Sequence, residues 1–286
     1  LMIRRPPRST HCISSAASDV YKRQLDYWVN GWFPMHDGQV PKGFYDKAAK
    51  VGYVVKAGGL QGYMVSKAEV DKFGIKSLAD FKRPEVKKAF DANGDGKADL
   101  TACPAGWQCE KIIDHHLKSY GLEDDINPVK VDYSAGMADA LARYNAGEPA
   151  FFYTWAPNWT IFKLKPGKDV NWINVPEIKP FTSQETAVER MTVDDVAGAV
   201  SNPVKLGFVV ADIRIVANKK FLADNPAAQK FFEVFALPLS DINEQNTKMQ
   251  DGEKSQKNIE RHAKEWIEKN QELWNSWLDA ARKAAK

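Results

Sequence analysis

Residues 103–155, CPAGWQCEKIIDHHLKSYGLEDDINPVKVDYSAGMADALARYNAGEPAFFYTW, decide the fold. Cys109 to Tyr120 reads as a helix closed by Gly121, and a strand at Val129–Asp132 leads into a helix from about Ser134 to Asn145, where Gly147 stops it. A strand follows from Ala150 to Thr154. Helix and strand in alternation are the signature of an α/β protein. Upstream, Asp26–Val29, Gly52–Val55 and Gln61–Val65 read as short strands, Ser77 as the cap of a helix start, and Asp91–Leu100 as a loop. Downstream, the polar, weakly patterned stretch 179–203 reads as an elaborated loop. A strand at Ile213–Asn218 then precedes a helix capped at Asn225 with Pro226 in its first position. Asp241 and Glu244 form a capping box for the next helix. Ile259, Ala263, Trp266, Ile267, Trp274, Trp277, Leu278 and Ala281 recur mostly at spacings of three and four, which predicts one long amphipathic helix with its tryptophans in the core.

A length of 286 residues suits two domains or two lobes, and no apolar stretch approaches the roughly 20 residues that span a bilayer. The formal charge of +3 comes from the N-terminus. Residues 1–24 carry Arg4, Arg5, Arg8, Lys22 and Arg23 against Asp19, so the remaining 35 basic and 36 acidic side chains nearly cancel. A neutral body has no electrostatic basis for gripping a phosphate backbone, which excludes a nucleic-acid partner. Residues 1–24 show neither the apolar run of a secretory signal nor any periodicity, and read as a foreign or disordered leader without chemistry of its own.

Three tryptophans end short apolar runs beside residues that bend the backbone: Trp32 in GWFPMH, Trp107 in CPAGWQC and Trp155 in FFYTWAP. Indole is the best aromatic face for a cation with no N–H to donate, so these residues point to a methylated, zwitterionic ligand. Taken singly, each is more at home in a core than in a ligand box, and it is the neighbouring residues that favour the site. Trp107 precedes the N-terminus of the 109–120 helix, whose unpaired amides and positive dipole end favour an anion. His36, four residues after Trp32, reads either as a donor for the same carboxylate or as a structural or surface histidine. The adjacent His115 and His116 point apart on a helix and cannot share a metal, and His262 has no evident partner.

With Cys12 in the leader, Cys103 and Cys109 are the remaining pair. A tight disulfide, a redox pair and half a metal site are all open to them. No second Cys/His cluster is spaced to complete zinc ligation, so a structural disulfide and an oxidising compartment are favoured. Asp91, Asn93, Asp95 and Asp99 stand at positions 1, 3, 5 and 9 of a loop resembling that of an EF hand, with Gly96 at its turn, but Ala102 replaces the bidentate Glu of position 12. The loop reads either as a structural calcium site or as a metal-free Asx turn. No other cofactor is required.

Five ordered motifs, WFPMH (32–36), DANGDGKADL (91–100), CPAGWQC (103–109), YTWAP (153–157) and IVANK (215–219), resemble the glycine betaine/proline betaine binding proteins of ProU-type ABC importers. The resemblance covers 25–286. It implies a type II periplasmic binding fold, with two α/β lobes joined by two hinge strands: 25–64 with 214–286 as lobe 1 and 65–213 as lobe 2. It further implies that Trp32, Trp107 and Trp155 surround the trimethylammonium group, while His36 and the backbone amides of Gln108 and Cys109 take the carboxylate. Lobe closure would assemble this box. Gln108 stands where relatives carry glycine, which a backbone donor tolerates unless φ is positive. Also implied are a periplasmic location, monomeric state, and an ABC permease with its ATPase as partners. The family's opening strand–helix units and signal peptide have no counterpart here, so lobe 1 is expected to be incomplete. The competing reading is a periplasmic enzyme acting on choline-like compounds. No nucleophile elbow, His-Glu-x-x-His or Walker loop supports it.

Overall fold

The computed structural model describes residues 20–22 and 25–285, arranged as two compact units. The strands are β1 (Tyr27–Phe33), β2 (Ala48–Ser66), β3 (Ala98–Thr101), β4 (Ile126–Val129), β5 (Phe151–Ala156), β6 (Val170–Ile173), β7 (Thr192–Val193), β8 (Val204–Lys205) and β9 (Ala211–Asn218). Of the described residues, those up to Gly59 and from Ala211 onward form the first unit, and 60–210 the second. The division thus falls at 59/60 and 210/211, ahead of the 64/65 and 213/214 expected from the sequence. Strand pairing accounts for the difference. Through Gly59, β2 pairs with β9, whereas from Leu60 onward it pairs with β5. Gly52–Val55 and Gln61–Val65, read as separate strands, belong to this one strand of 19 residues, irregular between Val51 and Val55 and between Val55 and Gly59.

In the first unit β9 lies between β1 and β2, antiparallel to both, with Trp32 opposite Ile213 and Val51 opposite Ile215. Val20 is fully buried with Phe33, Phe44, Ala48 and Val216. The stretch read as a foreign leader therefore contributes a core residue, because a β-branched side chain beside Phe33 and Phe44 is drawn out of water. Tyr21 packs against the same cluster, while residues 1–19, 23 and 24, Cys12 among them, lie outside the described residues. The expected long C-terminal helix is two, Gln256–Lys269 and Gln271–Ala284, separated at Asn270 (φ −116°). Of its predicted core face only Trp277 and Ala281 are buried, and Ala263 is exposed. Trp266 is half-buried, stacked on Trp277 at 5.8 Å with its Nε1 donating to Asp241 Oδ2 at 2.7 Å. Asp241 is consequently no cap: that helix, Leu239–Gln250, starts after Pro238. His262 does have a partner, with Nε2 2.7 Å from Glu253 Oε2.

In the second unit β3 is parallel to β4 and β5, and β5 is antiparallel to β2, which also pairs with β6. Between these strands run the helices Gln108–Tyr120 and Tyr133–Asn145, the α/β alternation expected. The strand predicted at Val129–Asp132 lies three residues earlier because Asp132 caps the following helix, its Oδ1 accepting from the Ala135 N–H at 3.1 Å. Phe81 stacks on Phe151 at 4.1 Å, and Tyr63, Met64, Leu100, Ile112 and Ile113 are fully buried around them. Residues 182–191 form a 3-10 segment within the stretch read as loop. No helix among the described residues is long and apolar enough to cross a membrane.

Candidate ligand-binding site

The Gln108–Tyr120 helix exists because Ile112, Ile113, His116, Leu117 and Tyr120 form a buried face and Gly121, at φ +60°, closes its last turn. Its N-cap is Trp107, whose side chain satisfies none of the first-turn amides. The cap also presents its indole, 37% exposed, at the end where those N–H groups converge. Three ties hold the preceding loop. The Cys103–Cys109 disulfide joins buried residues with Cα atoms 5.8 Å apart. The Gly106 N–H donates to Glu110 Oε2 at 2.7 Å, and Lys130 reaches Glu110 at 3.1 Å and Asp114 at 2.7 Å. Burial opposes the charge on Glu110, but the Gly106 amide and the Lys130 ammonium prevail and hold its pKa below the ordinary carboxylate range. The Gln108 side chain is buried, with Nε2 donating to Ser183 Oγ at 3.0 Å. Positive φ occurs at no non-glycine residue among those described except Ala57 and Asp195, so Gln108 holds an ordinary helical backbone.

Trp155 is the one residue of β5 that is not buried. Its ring lies 5.9 Å from that of Trp107 and 4.4 Å from that of Tyr133, tilted by 54° and 40°. The structure therefore brings Trp107, Trp155, Gln108 and Cys109 together: two indoles beside a helix N-terminus. Tyr133 joins them without having been anticipated. The signal open to sequence reading was the Asp132 cap, which fixes where that helix begins but not what its first residue faces.

In the first unit, Trp32 and His36 are bound to each other. The Trp32 backbone N–H donates to His36 Nδ1 at 2.8 Å, and Trp32 Nε1 donates to Asn30 Oδ1 at 2.8 Å. Gly59 passes close enough that a Cβ there would meet Trp32 Cζ3 and the Ala211 carbonyl oxygen, each at 2.9 Å. His36 is fully buried, stacked on Trp28 at 5.5 Å, and burial pushes its pKa down from 6.5 to about 3. With Nδ1 accepting, the neutral ring carries its proton on Nε2, a buried donor without an acceptor among the described residues. Such a donor can offer a hydrogen bond to an oxyanion but no formal charge.

In the Asp91 loop the side chains accept from the loop's own amides. Asp91 Oδ1 accepts from the Gly94 and Asp95 amides at 2.7 and 3.1 Å, and its Oδ2 from Gly96 at 2.9 Å. Asp95 Oδ1 accepts from Lys97 N–H at 2.9 Å, Asn93 Oδ1 from Asp95 N–H at 2.8 Å, and Asp99 Oδ2 from Ala92 N–H at 3.0 Å. The Asn93–Asp95 and Asp95–Lys97 bonds are Asx turns, while those of Asp91 and Asp99 reach farther along the loop. Among the described residues no group of three or more His, Cys, Asp or Glu side chains is placed to hold a metal.

Residues 14–269 match the OpuAC family, the substrate binding domain of ABC-type glycine betaine transport system; the match begins inside the stretch read as leader. The glycine betaine-binding periplasmic protein OusX of Dickeya dadantii (strain 3937) is 41% identical over 255 residues, covering 89% of this chain and 74% of that protein. The glycine betaine/proline betaine-binding periplasmic protein of Escherichia coli (strain K12) is 39% identical over 255 residues, with the same coverage of 89% and 74%. Among solved structures, lactococcal OpuAC in its closed form with glycine betaine matches with a TM-score of 0.67 at 18% identity, covering 94% of this chain and 85% of that one. At that identity the likeness speaks for the fold alone, the type II periplasmic binding fold expected from the sequence motifs. Family and fold agree with two indoles set beside a helix N-terminus, and the chain belongs to the OpuAC family, the substrate-binding domains of ABC-type glycine betaine transport systems.

Proposed function

We propose that this chain is a periplasmic receptor that takes up glycine betaine or proline betaine and releases it unchanged to an ABC permease and its ATPase, acting as a monomer. The carrying observation is the pair Trp107 and Trp155, 5.9 Å apart and partly exposed, next to a helix N-terminus whose first-turn amides its own cap leaves free. The indoles supply faces for the quaternary ammonium, and the Gln108 and Cys109 amides supply donors for the carboxylate. Trp32 and His36 are kept as ligand residues of the first unit from the family resemblance, supported by the unshared Nε2–H of His36. The Cys103–Cys109 disulfide suits an oxidising compartment, and the relatives are named as periplasmic proteins.

A desolvated cation–π contact is worth up to about 2 kcal/mol, whereas micromolar affinity needs about 8 kcal/mol net of ordering costs. The carboxylate donors must therefore supply much of the binding energy. Calorimetric titration with glycine betaine and with glycine tests the assignment. Glycine, strongly hydrated and with three N–H donors, finds no acceptor on an indole face and should bind far more weakly. Trp155→Ala should weaken glycine betaine binding by about tenfold or more, and Trp155→Phe by less. Equal affinity for the two ligands, or turnover of the betaine, would exclude this function.

A further inference from the structure

The Trp155 indole packs against a group the betaine reading does not use. Tyr133, 5% exposed, is the first residue of the Tyr133–Asn145 helix, whose start is fixed by the Asp132 cap. Its ring lies 4.4 Å from that of Trp155, tilted by 40°, nearer than Trp107 at 5.9 Å or Tyr153 at 6.0 Å. Its hydroxyl is tied into a buried polar cluster. Tyr133 Oη donates toward Thr154 Oγ1 at 3.0 Å and the Tyr153 carbonyl oxygen at 3.2 Å, and accepts from Asn158 Nδ2 at 3.3 Å. Thr154 Oγ1 lies 2.6 Å from Thr160 Oγ1, and the Thr160 N–H donates to Asn158 Oδ1 at 3.3 Å. Thr154, Asn158 and Thr160 are each no more than 3% exposed.

This arrangement bears on recognition because Trp155 is the partly exposed residue of an otherwise buried strand. Without a backing ring, an indole at such a position samples several rotamers, and a ligand must order it on binding. A ring fixed by packing and by a satisfied buried network presents its face already set. Several of the anchors also flank Trp155 in sequence, Tyr153 and Thr154 before it and Asn158 and Thr160 after it, so backbone and side chain are constrained from the same cluster.

We propose that Tyr133 is the positioning residue of the aromatic site: its ring, packed against the indole, sets the rotamer of Trp155, and discrimination by methylation of the ligand nitrogen depends on it. The inference rests on the betaine reading for its ligand but not for its geometry. Two readouts keep these apart. The first needs no ligand. Indoles as close as Trp107 and Trp155 couple as excitons, and the circular-dichroism couplet, isolated by subtracting the Trp155→Phe spectrum, reports their mutual orientation. The second is the ratio of affinities for glycine betaine and dimethylglycine, a probe that lacks one methyl.

Tyr133→Leu removes the ring and Tyr133→Met replaces it with a flexible chain, so that either variant serves if the other does not fold. Both should lose the couplet, weaken glycine betaine binding by about tenfold or more and collapse the ratio toward one. Tyr133→Phe, which keeps the ring, should retain the couplet and bind within about threefold of the parent chain. A couplet and ratio unchanged in the Leu or Met variant overturn the proposal, as does a Phe variant as impaired as they are. A couplet lost in those variants while the parent chain shows no response to betaine sustains the positioning role and overturns the betaine reading instead.

Discussion

Acidification from pH 7 to pH 5 should destabilise the second unit through one ring, His116. This imidazole is fully buried on the Gln108–Tyr120 helix. Its Nε2 lies 3.2 Å from the Gly207 carbonyl oxygen, which can only accept, so the proton is on Nε2 and Nδ1 accepts from Tyr63 Oη at 2.9 Å. A second proton would land on Nδ1, facing that hydroxyl in a shell made by Tyr120 and Phe208. Burial, assisted by the neighbouring His115, pushes the pKa down from 6.5 to about 3. The folded chain therefore stays neutral where the unfolded chain takes up a proton, and stability falls as the pH drops through 6.5, levelling only near 3. The slope is about 1.4 kcal/mol per pH unit, so one ring costs about 2 kcal/mol at pH 5. Urea unfolding of the parent chain and of His116→Gln at pH 7, 6 and 5 measures it. The variant should start about 1–3 kcal/mol less stable at pH 7, since its amide reproduces the two hydrogen bonds imperfectly. Between pH 7 and pH 5 it should nonetheless lose about 2 kcal/mol less than the parent chain. Parallel slopes would refute the reasoning, because His36, also neutral to about pH 3, is common to both chains.

Gly207→Ala should cost more than Gly74→Ala in thermal melts: both hold positive φ, +73° and +63°, but a Cβ at Gly207 meets Val175 Cγ1 at 2.7 Å and His116 Cε1 at 2.9 Å, while none lies within 4 Å at Gly74. Reduction of the Cys103–Cys109 bond should loosen the loop that presents the Gln108 and Cys109 amides, weakening betaine binding and lowering stability by about 2–3 kcal/mol at most; unchanged affinity with two thiols detected by mass spectrometry would count against that role. Trp266→Ala removes the stack on Trp277 and the bond to Asp241, so the urea midpoint should fall while betaine affinity of the folded fraction stays the same.

Local chemistry is what the sequence determined. Gly121 closing its helix, Ser77 capping Leu78–Lys82 and the break before Gly147 follow from neighbours within a turn, and the Trp107, Trp155 and Cys103–Cys109 readings follow from motifs a few residues long. Where partners are distant the reading failed. Gly52–Val55 and Gln61–Val65 became one strand because β9 and β5 succeed each other along it, information held 150 residues away in β9. The C-terminal helix broke at Asn270 although apolar spacing continues across it, since spacing records a face and not the continuity of the backbone. Tyr133 against Trp155, and His116 between Tyr63 and Gly207 at separations of 53 and 91 residues, are set by packing of whole elements. The residue types proposed for the ligand are legible because a quaternary ammonium and a carboxylate would demand them. The groups that hold those residues in place answer only to what the tertiary structure brings alongside them.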